Sequence, residues 1–240
     1  MSIQPSHPNP LKNYLSPHYI HKSNWLRAAV LGANDGLLST ASIVVGVAAA
    51  SDAREPIILA ALAGMVAGAL SMAAGEYVSV SSQTDVEKAD IAREAIELKE
   101  DPEKELQYLA TIYEQRGLKK ETALQVAKEL TAHDALGTHV RDELGINEIS
   151  QAKPLQAALA SGASFTCGAI LPLGITLLAP LKHMIYYQYG FTIVFLMLLG
   201  AVAAKTGGSH MGKAILRLTL WGTVAMVLSA AVGSLFGVAV

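Results

Sequence analysis

Residues 57–100 read IILAALAGMVAGALSMAAGEYVSVSSQTDVEKADIAREAIELKE, and this stretch decides the fold. From Ile57 to Val80 it holds one charge, Glu76, whereas from Asp85 onward charged residues recur every one to three positions. Crossing about 30 Å of hydrocarbon takes roughly 20 helical residues, so the first half is long enough to span a bilayer. No proline or glycine falls between Ser79 and Glu100, so nothing in the sequence ends the helix at the membrane surface. The pattern predicts one helix that crosses a membrane and runs on into water.

Four further stretches are long and apolar enough to span. Ala28–Ala50 carries one charge, Asp35, and Leu155–Leu181, Met184–Ala204 and Leu218–Val240 carry none. The first is too long, and too far from the N-terminus, for a cleaved signal peptide. The expectation is an all-α membrane protein with five transmembrane helices and a cytoplasmic helical insert between the second and third. Its parts are an N-terminal cytoplasmic tail (1–24) rich in proline, spans one and two (25–82), a metal-binding insert (83–153) and spans three to five (154–240).

Composition agrees. Hydrophobic residues make up 52% of the chain and charged residues 16%, against roughly 25% charged in soluble domains. Sixteen of the twenty Asp and Glu, but only ten of the eighteen Lys and Arg, lie between Gln83 and Lys153. The overall net charge of −2 therefore hides an insert at −6. No basic stripe with interleaved aromatics is present, which excludes nucleic acid as an expected partner. Cys167 stands alone in an apolar run and reads as packing. No Walker loop, Rossmann fingerprint or nucleophile–base arrangement is evident, so no enzyme and no permanently bound cofactor are expected. Without an ATP site, uphill transport would draw on an ion gradient.

Orientation follows from loop cations. Lys12, Lys22 and Arg27 precede the first span, and Lys205, Lys213 and Arg217 lie between the fourth and fifth; the opposite side has Arg54 and Lys182. The positive-inside rule then places the N-terminus and the insert in the cytoplasm and the C-terminus across the membrane.

Within the insert, Asp101-Pro102 reads as an N-cap with proline at the first helical position. Gly117 ends that helix near Arg116. A third helix is expected from about Glu121 to Leu136, with a break at Gly137 before His139–Leu144 and a stop at Gly145. Pro154 opens the third span, and Pro172 within it predicts a kink.

Asp35, in Gly32-Ala-Asn-Asp-Gly-Leu-Leu-Ser-Thr40, is the leading candidate for chemistry. A carboxylate at membrane depth costs a few kcal/mol or more and normally faces a polar cavity or an ion pathway. Met72 and Glu76, one turn apart on one helix face, offer a soft thioether beside a hard carboxylate. That mixture suits a divalent first-row transition metal better than Mg²⁺ or Ca²⁺. The plainer alternative has Glu76 reaching the interface and Met72 packing. Farther along the same helix Glu87, Asp90, Glu94, Glu97 and Asp101 fall within a wedge of about 80°. The stripe is either a solvated face or a cation-binding one, with Asp101 belonging to its cap. Glu103 and Glu105 on the next helix, and the i,i+4 pairs Glu129/His133 and His139/Glu143, are possible partners. No Glu-x-x-His motif is present, which disfavours a diiron centre.

Three blocks carry a resemblance: Asn34-Asp-Gly-Leu-Leu-Ser-Thr40, Gly68-Ala-Leu-Ser-Met-Ala-Ala-Gly-Glu-Tyr-Val-Ser-Val-Ser-Ser-Gln83, and Ala132-His-Asp-Ala-Leu-Gly-Thr-His-Val-Arg-Asp-Glu-Leu-Gly145. From Arg27 to the C-terminus the chain resembles the vacuolar iron transporter family, which includes the yeast Ca²⁺-sensitive cross-complementer type and bacterial homologues. The resemblance implies a five-helix homodimer that moves Fe²⁺, and often Mn²⁺, out of the cytoplasm in exchange for protons. It implies that Asp35 and Met72 line the path and that Glu94, Glu97, Glu105 and Glu143 bind metal. His139 falls where some members have methionine and so is a candidate ligand.

Two positions depart from that pattern. Gly64 stands where plant-type members have a glutamate, leaving Glu76 as the candidate for proton coupling. Tyr108 stands where many members have a glutamate, implying a reduced or altered cytoplasmic site. The function expected is a proton-coupled Fe²⁺/Mn²⁺ exporter in the plasma (inner) membrane. The alternatives are a membrane-anchored metal sensor or buffer, in which nothing crosses, and a passive divalent cation channel.

Overall fold

The computed structural model describes residues 23–146 and 153–237. Most of the N-terminal tail, with Lys12 and Lys22, lies outside the described residues. Among the described residues there is no strand; the chain forms α1 (Ser23–Ala48), α2 (Arg54–Glu100), α3 (Pro102–Gln115), α4 (Lys120–Asp142), α5 (Pro154–Leu178), a 3₁₀ turn (Leu181–His183), α6 (Met184–Thr206) and α7 (Met211–Phe236). Five of the helices, α1, α2, α5, α6 and α7, are long and apolar enough to cross a membrane. The protein is thus an all-α, multi-pass membrane protein.

α2 is the continuous helix expected. Its 47 residues extend roughly 70 Å at 1.5 Å per residue, more than twice the hydrocarbon thickness. The fifth span starts earlier than its apolar stretch: α7 begins at Met211 and takes in Lys213 and Arg217. Such side chains have aliphatic stems long enough to keep the charge at an interface while the backbone stays helical. The third span stops at Leu178, before Pro180 and the 3₁₀ turn.

The chain divides into two compact units, residues 1–69 with 163–240, and 70–162. In the first, α1 is the central element. Leu37, Ala41, Val44 and Val45 on it are buried, and it packs against α6 and α7. Glycines permit the close approaches. A Cβ at Gly36 would strike the backbone of Phe165, one at Gly168 the backbone of Ala33, and one at Gly233 the backbone of Gly46. Small residues at such crossings let backbones come together where no hydrophobic effect drives association. Arg54, read above as a topology signal, has a structural task. Its guanidinium donates to the carbonyls of Thr176 (2.7 Å), Leu177 (2.8 Å) and Ala179 (2.6 Å), which the end of α5 leaves without helical partners.

The second unit contains α3 and α4, packed on each other. Leu106, Leu109, Ala110 and Tyr113 present the i, i+3, i+4, i+7 stripe of an amphipathic helix, and Ala123, Ala127 and Leu130 complete the core. The Asp101 carboxylate accepts from the Lys104 amide at 3.1 Å, with Pro102 following, so this cap forms as expected. Gly117, at φ 102°, turns the chain after α3.

The expected break at Gly137 is corrected. The non-helical residue inside α4 is Asp134 (φ −159°, ψ 90°). Its carboxylate accepts from the Gly137 amide at 3.0 Å, and its carbonyl accepts from the Thr138 hydroxyl at 2.7 Å. Asp134 therefore acts as the N-cap of a new helical segment, and Gly137 lies inside that segment's first turn.

Candidate metal centre

The new segment begun by Asp134 carries His139 and Glu143 on successive turns of one face. The imidazole Nδ1 of His139 lies 2.9 Å from Oε2 of Glu143 and 2.8 Å from Oε1 of Glu94 on α2. With Glu105 on α3, these residues offer four ligand atoms that all lie within 4.8 Å of one another. His139 is wholly buried, Glu94 is 3% exposed and Glu105 5%.

Three carboxylates around one imidazole make a charge imbalance. A neutral imidazole carries one proton and an imidazolium two, and only Nδ1 faces the acids; it can serve one acceptor at a time. Nδ1 lies within hydrogen-bonding distance of Glu143, while Oε1 of Glu94 has no hydrogen-bond partner among the described residues despite the close approach. Exposed Lys104 lies 3.6 Å from Glu105 and is a weak, solvent-screened counter-charge. Glu94 lies fourteen residues beyond the apolar stretch that ends at Val80. Burial pushes its carboxyl above the usual carboxylate range; Glu143 adds to that, His139 opposes it, and Glu105 and Glu97 add again. A divalent cation would relieve both the repulsion and the orphaned oxygen. Three oxygens and one imidazole nitrogen form a donor set suited to first-row divalent metals, since imidazole binds them well and no thiolate is present.

Behind the centre, Asp142 ties α4 to α3. It accepts from Arg116 Nη1 at 2.6 Å and from the Tyr113 hydroxyl at 3.0 Å, and its own carbonyl accepts from Arg116 Nη2 at 2.7 Å. Burial alone would raise the Asp142 carboxyl, but hydrogen bonds from Arg116, Tyr113 and Arg141 outweigh it and hold the group below the usual range. The Tyr113 phenol is pushed up by burial and by the neighbouring Asp142. These residues escaped the sequence reading because Arg116 and Asp142 are far apart in sequence and meet only when α3 packs on α4.

The remaining expected ligands are placed differently. Glu97 is partly buried, is not among the four convergent residues, and lies 3.9 Å from Arg93. Asp90 pairs with Arg93 at 3.1 Å, and Glu87 accepts from Gln83 at 2.8 Å. Glu129 and His133 are both exposed, and Glu129 accepts from Gln125. In the membrane-spanning unit Asp35 is on the exposed side of α1. Met72 and Glu76 are partly buried on α2, and Tyr108 is exposed on α3.

Residues 26–234 match the family model described as the VIT family. The chain belongs to that family. Among its VIT-family relatives, a protein named vacuolar iron transporter from Acanthamoeba castellanii is 42% identical over 90% of this chain and 82% of its own length. Vacuolar iron transporter homolog 1 of Oryza sativa subsp. japonica is 35% identical over 92% of this chain and 77% of its own length. Vacuolar iron transporter homolog 2 of Arabidopsis thaliana is 34% identical, with 91% and 88% covered.

Proposed function

We propose that this VIT-family protein is a proton-coupled exporter of divalent transition metal, Fe²⁺ or Mn²⁺, from the cytoplasm. The observation that carries the reading is the buried, acid-rich convergence of Glu94, Glu105, His139 and Glu143. The names of its relatives, as iron transporters, support it.

In this reading the insert faces the cytoplasm and gathers the metal, with Glu97 supplying local negative potential. Asp35, Met72 and Glu76 form the membrane path. Asp35 is exposed in the single chain, and a carboxylate facing hydrocarbon is costly; a homodimer whose second copy covers this face removes that cost and doubles the ligands. Metal and proton compete for the same carboxylate, which is a simple physical route to exchange. Glu76 is assigned the proton-coupling role because Gly64 offers no titratable group. The host membrane in this proposal is the plasma (inner) membrane, although the relatives are named as vacuolar.

The test is flux in proteoliposomes. Fe²⁺ and Mn²⁺ uptake should rise when an imposed pH gradient drives protons the opposite way. Metal binding with no flux would favour a sensor or buffer, and flux indifferent to the gradient would favour a channel.

A further inference from the structure

Hydroxyl side chains in the membrane-spanning unit commonly bond the carbonyl one turn back along their own helix. Ser39 does so to Asp35, Thr176 to Pro172, Thr206 to Val202, Thr219 to Ile215 and Ser234 to Ala230. This is a local way to satisfy a hydroxyl where no bulk water reaches. Thr40 and the partly buried Ser42 on α1, and Thr192 on α6, depart from it. Thr40 and Thr192 are wholly buried, and neither hydroxyl has a hydrogen-bond partner among the described residues. Gln188, one turn before Thr192, is also wholly buried, with both its amide oxygen and its amide nitrogen unpartnered among the described residues.

These groups belong to one seam. Met184, Gln188, Thr192 and Leu196 recur every fourth residue along the buried face of α6. Met184 packs in a cluster with Val44 of α1, and Leu196 flanks Gly222 together with Leu38 of α1. Gln188 and Thr192 lie between those two fixed points and so oppose the 38–44 stretch of α1, which holds Thr40. Asp35 is roughly 140° away around the same helix.

We propose that this α1–α6 seam is an internal water site, where the Gln188 amide and the Thr192 and Thr40 hydroxyls hold water inside a single protomer. An amide and two hydroxyls supply donors and acceptors in the mixture water needs, and a buried water typically makes about three hydrogen bonds to otherwise unsatisfied groups. The departure of both threonines from the local bonding pattern frees their hydroxyls for such an occupant. The site is separate from the exposed Asp35 face of α1.

X-ray-driven hydroxyl-radical labelling of the full-length protein in liposomes tests this, because radicals form from water held beside a side chain. Met184 and Met226 are equally buried, at 1% exposed, but Met184 sits one turn from Gln188. Wild-type Met184 should be oxidised several-fold more than Met226. The double variant Gln188→Leu with Thr192→Val should lose that excess and leave exposed Met211 unchanged. Equal protection of Met184 and Met226 in the wild type overturns the proposal, and this arm needs no variant to fold. So does a double variant that melts at a higher temperature with Met184 labelling unaltered, the result for a dry seam relieved of unpartnered polar groups.

Discussion

Glu94 and Asp35 are carboxylates on long helices, and one chain treats them in opposite ways. Glu94 is buried within the insert against His139, near Glu105 and Glu143 from the other helices of that unit. Asp35 stays on the exposed side of α1. The insert therefore brings a candidate ligand set together within a single chain, whereas the membrane helix presents an acid on its exposed side. Binding and movement of metal should accordingly be separable by mutation.

The largest expected effect falls on the membrane side. Asp35→Asn keeps the shape of the side chain and removes the titratable charge. Metal flux in proteoliposomes should be abolished while the insert binds metal at near wild-type affinity by calorimetry. Normal flux in this variant would collapse the contrast and reopen the sensor and channel readings.

Next comes the insert itself. Glu94→Gln, Glu105→Gln and Glu143→Gln together should weaken Fe²⁺ or Mn²⁺ binding by more than the roughly 10–100-fold that outer-shell substitutions cost. Circular dichroism should show helix content retained, since removing like charges relieves repulsion. Glu97→Gln alone should change affinity only slightly; a loss equal to that of Glu94→Gln would mean that Glu97 swings in to bind metal.

A third prediction addresses the clamp. Asp142→Asn weakens the links to Arg116 and Tyr113 without touching a candidate ligand. It should lower metal affinity about tenfold, as other supporting groups do, and lower stability by about 1–3 kcal/mol in thermal unfolding. An unchanged affinity would show that His139 and Glu143 hold their positions without the α3–α4 tie.

The smallest effect concerns the start of the segment that bears His139 and Glu143. Asp134→Ala removes the acceptor for the Gly137 amide and should cost about 1 kcal/mol, as loss of an N-cap does. Asp134→Asn should cost less, because an amide oxygen can still accept that bond. Equal losses in the two variants would show that the charge, rather than the hydrogen bond, holds this bend.

Local and additive properties were legible in the residues alone. The length of each apolar run set the five spans, the lack of Pro or Gly between Ser79 and Glu100 predicted a helix continuing past the membrane, and Asp101-Pro102 marked the start of α3. His139 and Glu143 were legible as a pair because i,i+4 spacing forces them onto one helix face. The acidic stripe on α2 was legible only as a set of equals. Packing of helices distant in sequence then separated Glu94, buried against His139, from Glu97, left beside Arg93. Packing of α3 on α4 joined Arg116 to Asp142, and packing within the other unit buried Gln188 without a partner among the described residues. Hydropathy and helical spacing are summed along one strand of chain, so the sequence alone determines them. Which carboxylate loses its water depends on what other helices lay over it, and only the tertiary structure decides that.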